Sequence, residues 1–156
     1  MNRIAVFCLS MIAAVWMPPG MRADDGKRVQ IRANDQMRYD VLSIDATAGQ
    51  KVTVTLTNAG MMPKVAMAHN FVLLKAGTDF VTFALAAMTH QETGYMPPEM
   101  ADKVIAATRL VGPGESETVS FTAPAAGTYD YICTFPGHAQ AGMHGKLIVK
   151  QALAVR

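Results

Sequence analysis

The segment Cys133-Thr-Phe-Pro-Gly-His138-Ala-Gln-Ala-Gly-Met143 carries a thiol, an imidazole and a thioether in the spacing C-x4-H-x4-M. These are soft or borderline donors, suited to copper more than to magnesium or calcium, which take oxygen ligands. Two imidazoles and a thiolate in a trigonal set, with a weak axial thioether, form the arrangement of electron-transferring copper sites. The segment lacks only the second imidazole. His69, at the head of the apolar stretch His69-Asn-Phe-Val-Leu-Leu74, supplies it if the fold carries it across.

Each of these residues has an ordinary explanation when taken singly. Cysteine is among the most buried residue types, a lone histidine is often structural, and methionine fills cores. Their joint occurrence at ligand spacing argues for a site. The other methionines, Met37, Met67, Met88 and Met100, show no Met-x-Met or His-x-Met repeat and are read as filler. With His69 and His138 assigned, only His90 and His144 remain, too few for a trinuclear copper centre. A dinuclear centre would need a second cysteine near Cys133. A Cys and two His could also hold zinc tetrahedrally, which is read as occupancy rather than function.

The elements that must position these donors read as strands. Tyr39 to Asp45 and Lys51 to Thr57 alternate apolar and polar residues with period two, the signature of half-buried β-structure. Further strands are expected over Asn70 to Leu74, Val104 to Val111, Glu117 to Thr122, Thr128 to Cys133 and Lys146 to Lys150. Breakers such as Gly112-Pro113-Gly114 and Pro124-Ala125-Ala126-Gly127 separate them. The expected fold is all-β, a Greek-key β-sandwich in a single domain. Asp79 to His90 instead carries a helical stripe, followed by Pro97-Pro98, and predicts one short inserted helix.

Before the strands, Arg3 is followed by an apolar run from Ile4 to Trp16 and the breaker Met17-Pro18-Pro19-Gly20. That is the layout of a signal peptide over residues 1–23, with residues 24–156 as the mature copper-binding domain. The run is too short to span a bilayer, so stable membrane insertion is not expected. Cys8 lies inside the run, not after it, which argues against lipidation. Removing residues 1–23 takes away Arg3 and Arg22 and brings the net charge from +2 to zero. A neutral surface argues against nucleic acid as a partner. The same cut leaves Cys133 alone in an oxidising compartment, where an unpaired thiol needs a reason.

On these motifs, together with Asn34-Asp35-Gln36-Met37, Met67-Ala-His69-Asn70 and Gly112-Pro-Gly-Glu115 in order, the chain resembles the plastocyanin/azurin family of cupredoxins. It is azurin-like overall, with a ligand-loop spacing similar to that of the auracyanins. The resemblance implies one type 1 copper ion, cycling between Cu(I) and Cu(II), on His69, Cys133, His138 and Met143. It also implies a distant contact from the Ala68 carbonyl and a brace from Asn70 to the loop near Thr134. His138 would be the electron port, opening through an apolar patch of Met61, Met62, Pro63, Phe135 and Pro136. Four departures stand out: the family's disulfide cannot form with one mature cysteine, Asn58 replaces a pH-sensitive histidine, Ala68 replaces the glycine before the first ligand, and His144 stands where lysine is common. An imidazole at position 144 could in principle compete for the axial position.

The function expected is that of an exported, periplasmic, monomeric electron carrier without a substrate site. Its partners would be redox proteins such as cytochromes, dehydrogenases or reductases, met transiently. The alternatives are a copper carrier delivering metal to an exported oxidase, one domain of a copper enzyme, and a binding module that has lost its metal. Cys133 argues against the first, the scarcity of histidine against the second, and the intact donor set against the third.

Overall fold

The computed structural model describes residues 26–152. The leader over residues 1–23, with Cys8, lies outside the described residues. Among the described residues nine strands form two sheets. The first holds β1 (Lys27–Asn34), β2 (Arg38–Tyr39), β4 (Lys51–Asn58) and β7 (Ser116–Thr122) in the order β2-β1-β4-β7. The second holds β3 (Ser43–Thr47), β5 (Val72–Leu74), β6 (Val104–Ala107), β8 (Gly127–Ile132) and β9 (His144–Lys150) in the order β3-β9-β8-β5-β6. β1 runs parallel to β4 and β3 parallel to β9, while the other pairs are antiparallel. This is the sandwich the alternation implied.

β4 shows how the pattern works. Val52, Val54 and Leu56 are fully buried and point between the sheets. The intervening threonines face outward and pair with hydroxyls of β7: Thr53 with Ser120 at 2.8 Å, Thr55 with Thr118 at 2.9 Å, and Thr57 with Ser116 at 2.8 Å. Apolar side chains thus leave water on one face, while cross-strand hydroxyl pairs tie the other. Ile31, Ile44, Phe71, Tyr131 and Leu147 complete the layer between the sheets.

Two expectations need correction. Tyr39 to Asp45 is not one strand but two, on different sheets. Tyr39 pairs with Ala33 in the first sheet and Ile44 with Leu147 in the second. Between them Leu42 is exposed, and the Val41 carbonyl accepts the Tyr131 hydroxyl at 2.6 Å, so the chain crosses the sandwich edge where alternation alone suggested continuity. The stretch from Val104 likewise stops at Ala107, and Val111 makes only a single bridge, to His69.

The inserted helix is present as α2 (Phe80–Ala87), and a four-residue helical turn, α1 (Lys64–Met67), and two 3-10 turns, Gln91–Thr93 and Pro98–Lys103, accompany it. The Asp79 carboxylate caps α2, accepting the Val81 amide at 3.0 Å and the Thr82 hydroxyl at 2.7 Å. Phe83 and Ala84 pack on Val72, Leu74, Ile132 and Ala139, a second apolar cluster on the outer face of the five-stranded sheet. Pro98 opens the second 3-10 turn, where a missing amide hydrogen costs nothing.

Candidate metal centre

Cys133 and Met143 are placed by the sheet. Past the last β8–β9 pair, Ile132 with His144, the next residues in register are Cys133 and Met143, and the Cys133 amide donates to the Met143 carbonyl at 3.1 Å. Residues directly opposite on antiparallel strands share a face. Cys133 and Met143 therefore both turn toward the layer between the sheets, where each is fully buried.

Between them the chain makes a compact double turn. The His138 amide donates to the Phe135 carbonyl at 3.0 Å, and the Met143 amide to the His138 carbonyl at 2.9 Å. Gly137 and Gly142 hold φ of 81° and 102°, values that favour glycine. From β2, the Arg38 guanidinium reaches over to the Ala141 carbonyl at 2.5 Å and fastens the far side of the loop.

His69 arrives alone, between α1 and β5, and is held by its backbone. Its amide donates to the Val111 carbonyl at 3.1 Å and its carbonyl accepts the Val111 amide at 2.7 Å. The buried amide of Asn58 donates to the Met67 and Val111 carbonyls, both at 3.2 Å, and accepts the Gly60 amide at 2.8 Å. Asn70 then joins this arm to the loop. Its side chain donates to Thr134 Oγ1 and accepts the Thr134 amide, both at 2.8 Å. That is the brace the family resemblance implied. Tyr39 adds a hydroxyl hydrogen bond to the Asn70 carbonyl.

The result is a cluster in which the donor atoms of His69, Cys133 and His138 lie within 4.8 Å of one another, all three residues being buried. Cys133 Sγ is 3.5 Å from His138 Nδ1, and the two imidazole centroids are 5.0 Å apart. Burial pushes the Cys133 thiol up to about 12, against the pull of the Asn70 and Phe135 backbone amides, which favour the thiolate. Burial also lowers both histidines to about 4, with the Asp35 charge opposing this at His69 and His69 itself reinforcing it at His138.

Neither ring nitrogen of His69 has a hydrogen-bond partner among the described residues, although both are buried. Buried polar atoms are almost always paired, so an orphaned imidazole facing a thiol and a second imidazole fits a metal ligand. Neutral imidazoles, a sulfur donor and amides directed at that sulfur match copper. Met143 adds a buried thioether on the same face as Cys133.

His90 and His144 lie elsewhere. The ring of His90 sits between Glu92 and Glu99, its two nitrogens each 3.3 Å from a carboxylate oxygen. His144 packs on Phe80 with centroids 4.7 Å apart, on the helix-covered face of the sheet. In register it pairs with Ile132, on the opposite face from Met143.

Sequence reasoning missed Asn58 as a clamp, treating it only as a lost histidine; its position next to a turn, at an inward position of β4, was the available signal. Nothing in local spacing marks Arg38 as the residue that fastens the loop at Ala141.

Fold and donor set together define a β-sandwich domain with a buried site suited to copper. Residues 27–150 match the model for copper binding proteins of the plastocyanin/azurin family, and the chain belongs to that family. It is 36% identical to auracyanin-B of Chloroflexus aurantiacus over 78% of this chain and 51% of that protein, so it spans about half of that relative's length. It is 35% identical to azurin of Pseudomonas aeruginosa over 94% of this chain and 96% of that one. Among solved structures, dithionite-reduced auracyanin from Roseiflexus castenholzii superposes with a TM-score of 0.69 at 34% identity, covering 80% of this chain and 98% of the other.

Proposed function

We propose that His69, Cys133, His138 and Met143 hold a single copper ion, and that the protein, once exported, carries single electrons between redox proteins. The observation that carries this is the buried His69–Cys133–His138 cluster with both nitrogens of His69 unpartnered. Bound there, copper supplies a one-electron couple between Cu(I) and Cu(II). The chain's own contribution is rigidity: Cys133 and Met143 continue a sheet ladder, and Asn58, Asn70 and Arg38 clamp the remaining segments. Donors fixed in this way need little rearrangement when the charge of the site changes.

The leader-like residues 1–23 support export to the periplasm, and none of the described helices is long and apolar enough to cross a membrane. An apolar surface beside the site supports brief docking with protein partners. Met61 is 89% and Val65 90% exposed, with Met62, Pro63 and the half-buried Phe135 and Pro136 next to the site in sequence or space. Asp35 holds this rim by accepting the Met61 amide at 2.8 Å. A carrier is favoured over an enzyme with a second copper centre, since His90 and His144 stand apart from the cluster. Delivery of copper to an exported oxidase is the weaker reading, because a buried thiolate holds its metal rather than offering it.

Addition of Cu(II) to the folded protein tests this. An intense red-region thiolate-to-copper band, bleached by reductant and restored by oxidant, is expected, and Cys133→Ser should abolish it. Folded, metal-loaded protein without the band would remove Cys133 from the ligand set.

A further inference from the structure

His138, the expected electron port, is only 2% exposed. A group that must exchange electrons with a partner is therefore covered, and the question is by what. Phe135 lies over it, with ring centroids 4.8 Å apart. Tyr95 packs edge-on against Phe135 at 5.2 Å with an interplanar angle of 68°. Ring contact thus runs unbroken from His69 through His138 and Phe135 to Tyr95, which is half-buried. Beyond Tyr95 is a shallow hollow of about 200 Å³, lined also by Val65, Ala68, Leu110 and Phe135.

Tyr95 reaches this place at a conformational cost. It holds φ of 61°, directly after Gly94 at 69°, and its amide donates to the His90 carbonyl at 2.8 Å. A bulky residue with positive φ is an outlier, kept only where the surrounding structure holds it there. Glycine occupies the first of the two left-handed positions and would be the easier residue at the second. The only other non-glycine residue with positive φ among those described, Met37, directs its side chain against the core. Tyr95 is not among the residues packed directly on either core cluster, and its ring contact is with Phe135 over the site.

We propose that Tyr95 is the outermost ring of the path by which an electron reaches the covered edge of His138, and that the strained turn exists to seat it there. This rests on the copper-carrier reading. The step transfers one electron from a reduced donor to the oxidised site. No bond forms or breaks, no proton moves, and the phenol stays unoxidised, acting only as a medium between donor and site. Tyr95 is thus a positioning residue, acting through Phe135.

The test compares the parent with Tyr95→Gly and Tyr95→Phe. In the apoproteins, Tyr95→Gly sets relief of the positive φ against loss of the Phe135 ring contact, so its melting temperature should stay close to the parent's. In the copper-loaded proteins, the charge-transfer band and reduction potential should be the same in all three. Reduction by hexaammineruthenium(II), followed by stopped flow, should slow several-fold in Tyr95→Gly and return to the parent rate in Tyr95→Phe. A parent-like or faster rate in Tyr95→Gly with band and potential intact would overturn the inference while leaving the copper reading in place, a faster one making the ring a cover and not a path. A Tyr95→Phe variant as slow as Tyr95→Gly would overturn it too, assigning the effect to the hydroxyl, and a shifted potential would mean that Tyr95 shapes the site instead. Absence of the band in the parent defeats the copper reading itself.

Discussion

His69 and the Cys133–Met143 loop deliver donors to the same place by opposite means. The loop is local: its two ends continue the β8–β9 ladder, its turns close on their own backbone, and sequence spacing alone sets which residues face inward. His69 is a single residue on an irregular arm, fixed by hydrogen bonds from three distant segments, at Val111, Asn58 and, through Asn70, Thr134. A local array positions donors by register, whereas a lone donor needs a scaffold of buried amides. The arm should therefore be the more fragile of the two, and it can be attacked separately.

Acid gives the largest effect, because it strikes both. Burial lowers the folded-state pKa of His69 and His138 to about 4, below the ordinary value of 6.5. Between those values the unfolded chain binds more protons than the folded one, so stability is full above about pH 6.5 and falls as pH drops toward 4, levelling off below that. The loss is on the order of 3 kcal/mol for each ring. Urea midpoints of the apoprotein should fall steeply over this window. Apoprotein with equal midpoints at pH 7 and pH 4 would mean that the imidazoles are not buried as described.

Asn58→Ala separates arm from loop. It removes three hydrogen bonds in a buried place, leaving the Met67 and Val111 carbonyls and the Gly60 amide short of a partner. A loss of about 2–4 kcal/mol is expected by urea denaturation. Native-state hydrogen exchange should show the amides of His69 and Val111 opening more readily while the Cys133 and Met143 amides keep their relative protection. Equal loosening of both would dissolve the distinction drawn between them.

The same contrast explains what could be read from the residues alone. The loop was legible because its chemistry and its geometry are both local: C-x4-H-x4-M sits between two alternating strands, and the register follows. The sandwich was legible wherever one face of a strand is buried, as in β4. The division of Tyr39 to Asp45 between two sheets showed only as a slip of phase, since Tyr39 and Ile44 are both buried at an odd separation that a single period-two strand does not allow, and their partners, Ala33 and Leu147, reveal the crossing. The clamp by Asn58 and the seating of Tyr95 were hidden for a related reason. Each acts on residues far away in the chain, and neither its type nor its neighbours' spacing records the target.

His144→Ala yields the smallest effect and the sharpest check on register. An imidazole directly after Met143 could reach an axial position if the strand turned even one residue, because a slip of one moves every side chain to the other face. The pairing of His144 with Ile132 and its ring contact with Phe80 set it against the helix instead, across the sheet from Cys133. Removing it should cost about 0.5–1.5 kcal/mol of aromatic packing. The wavelength of the charge-transfer band in copper-loaded protein should stay where it is. A shifted band would put His144 at the metal and overturn the ladder argument that places Cys133 and Met143 on one face; an unmoved band with a small loss of stability is what that argument requires.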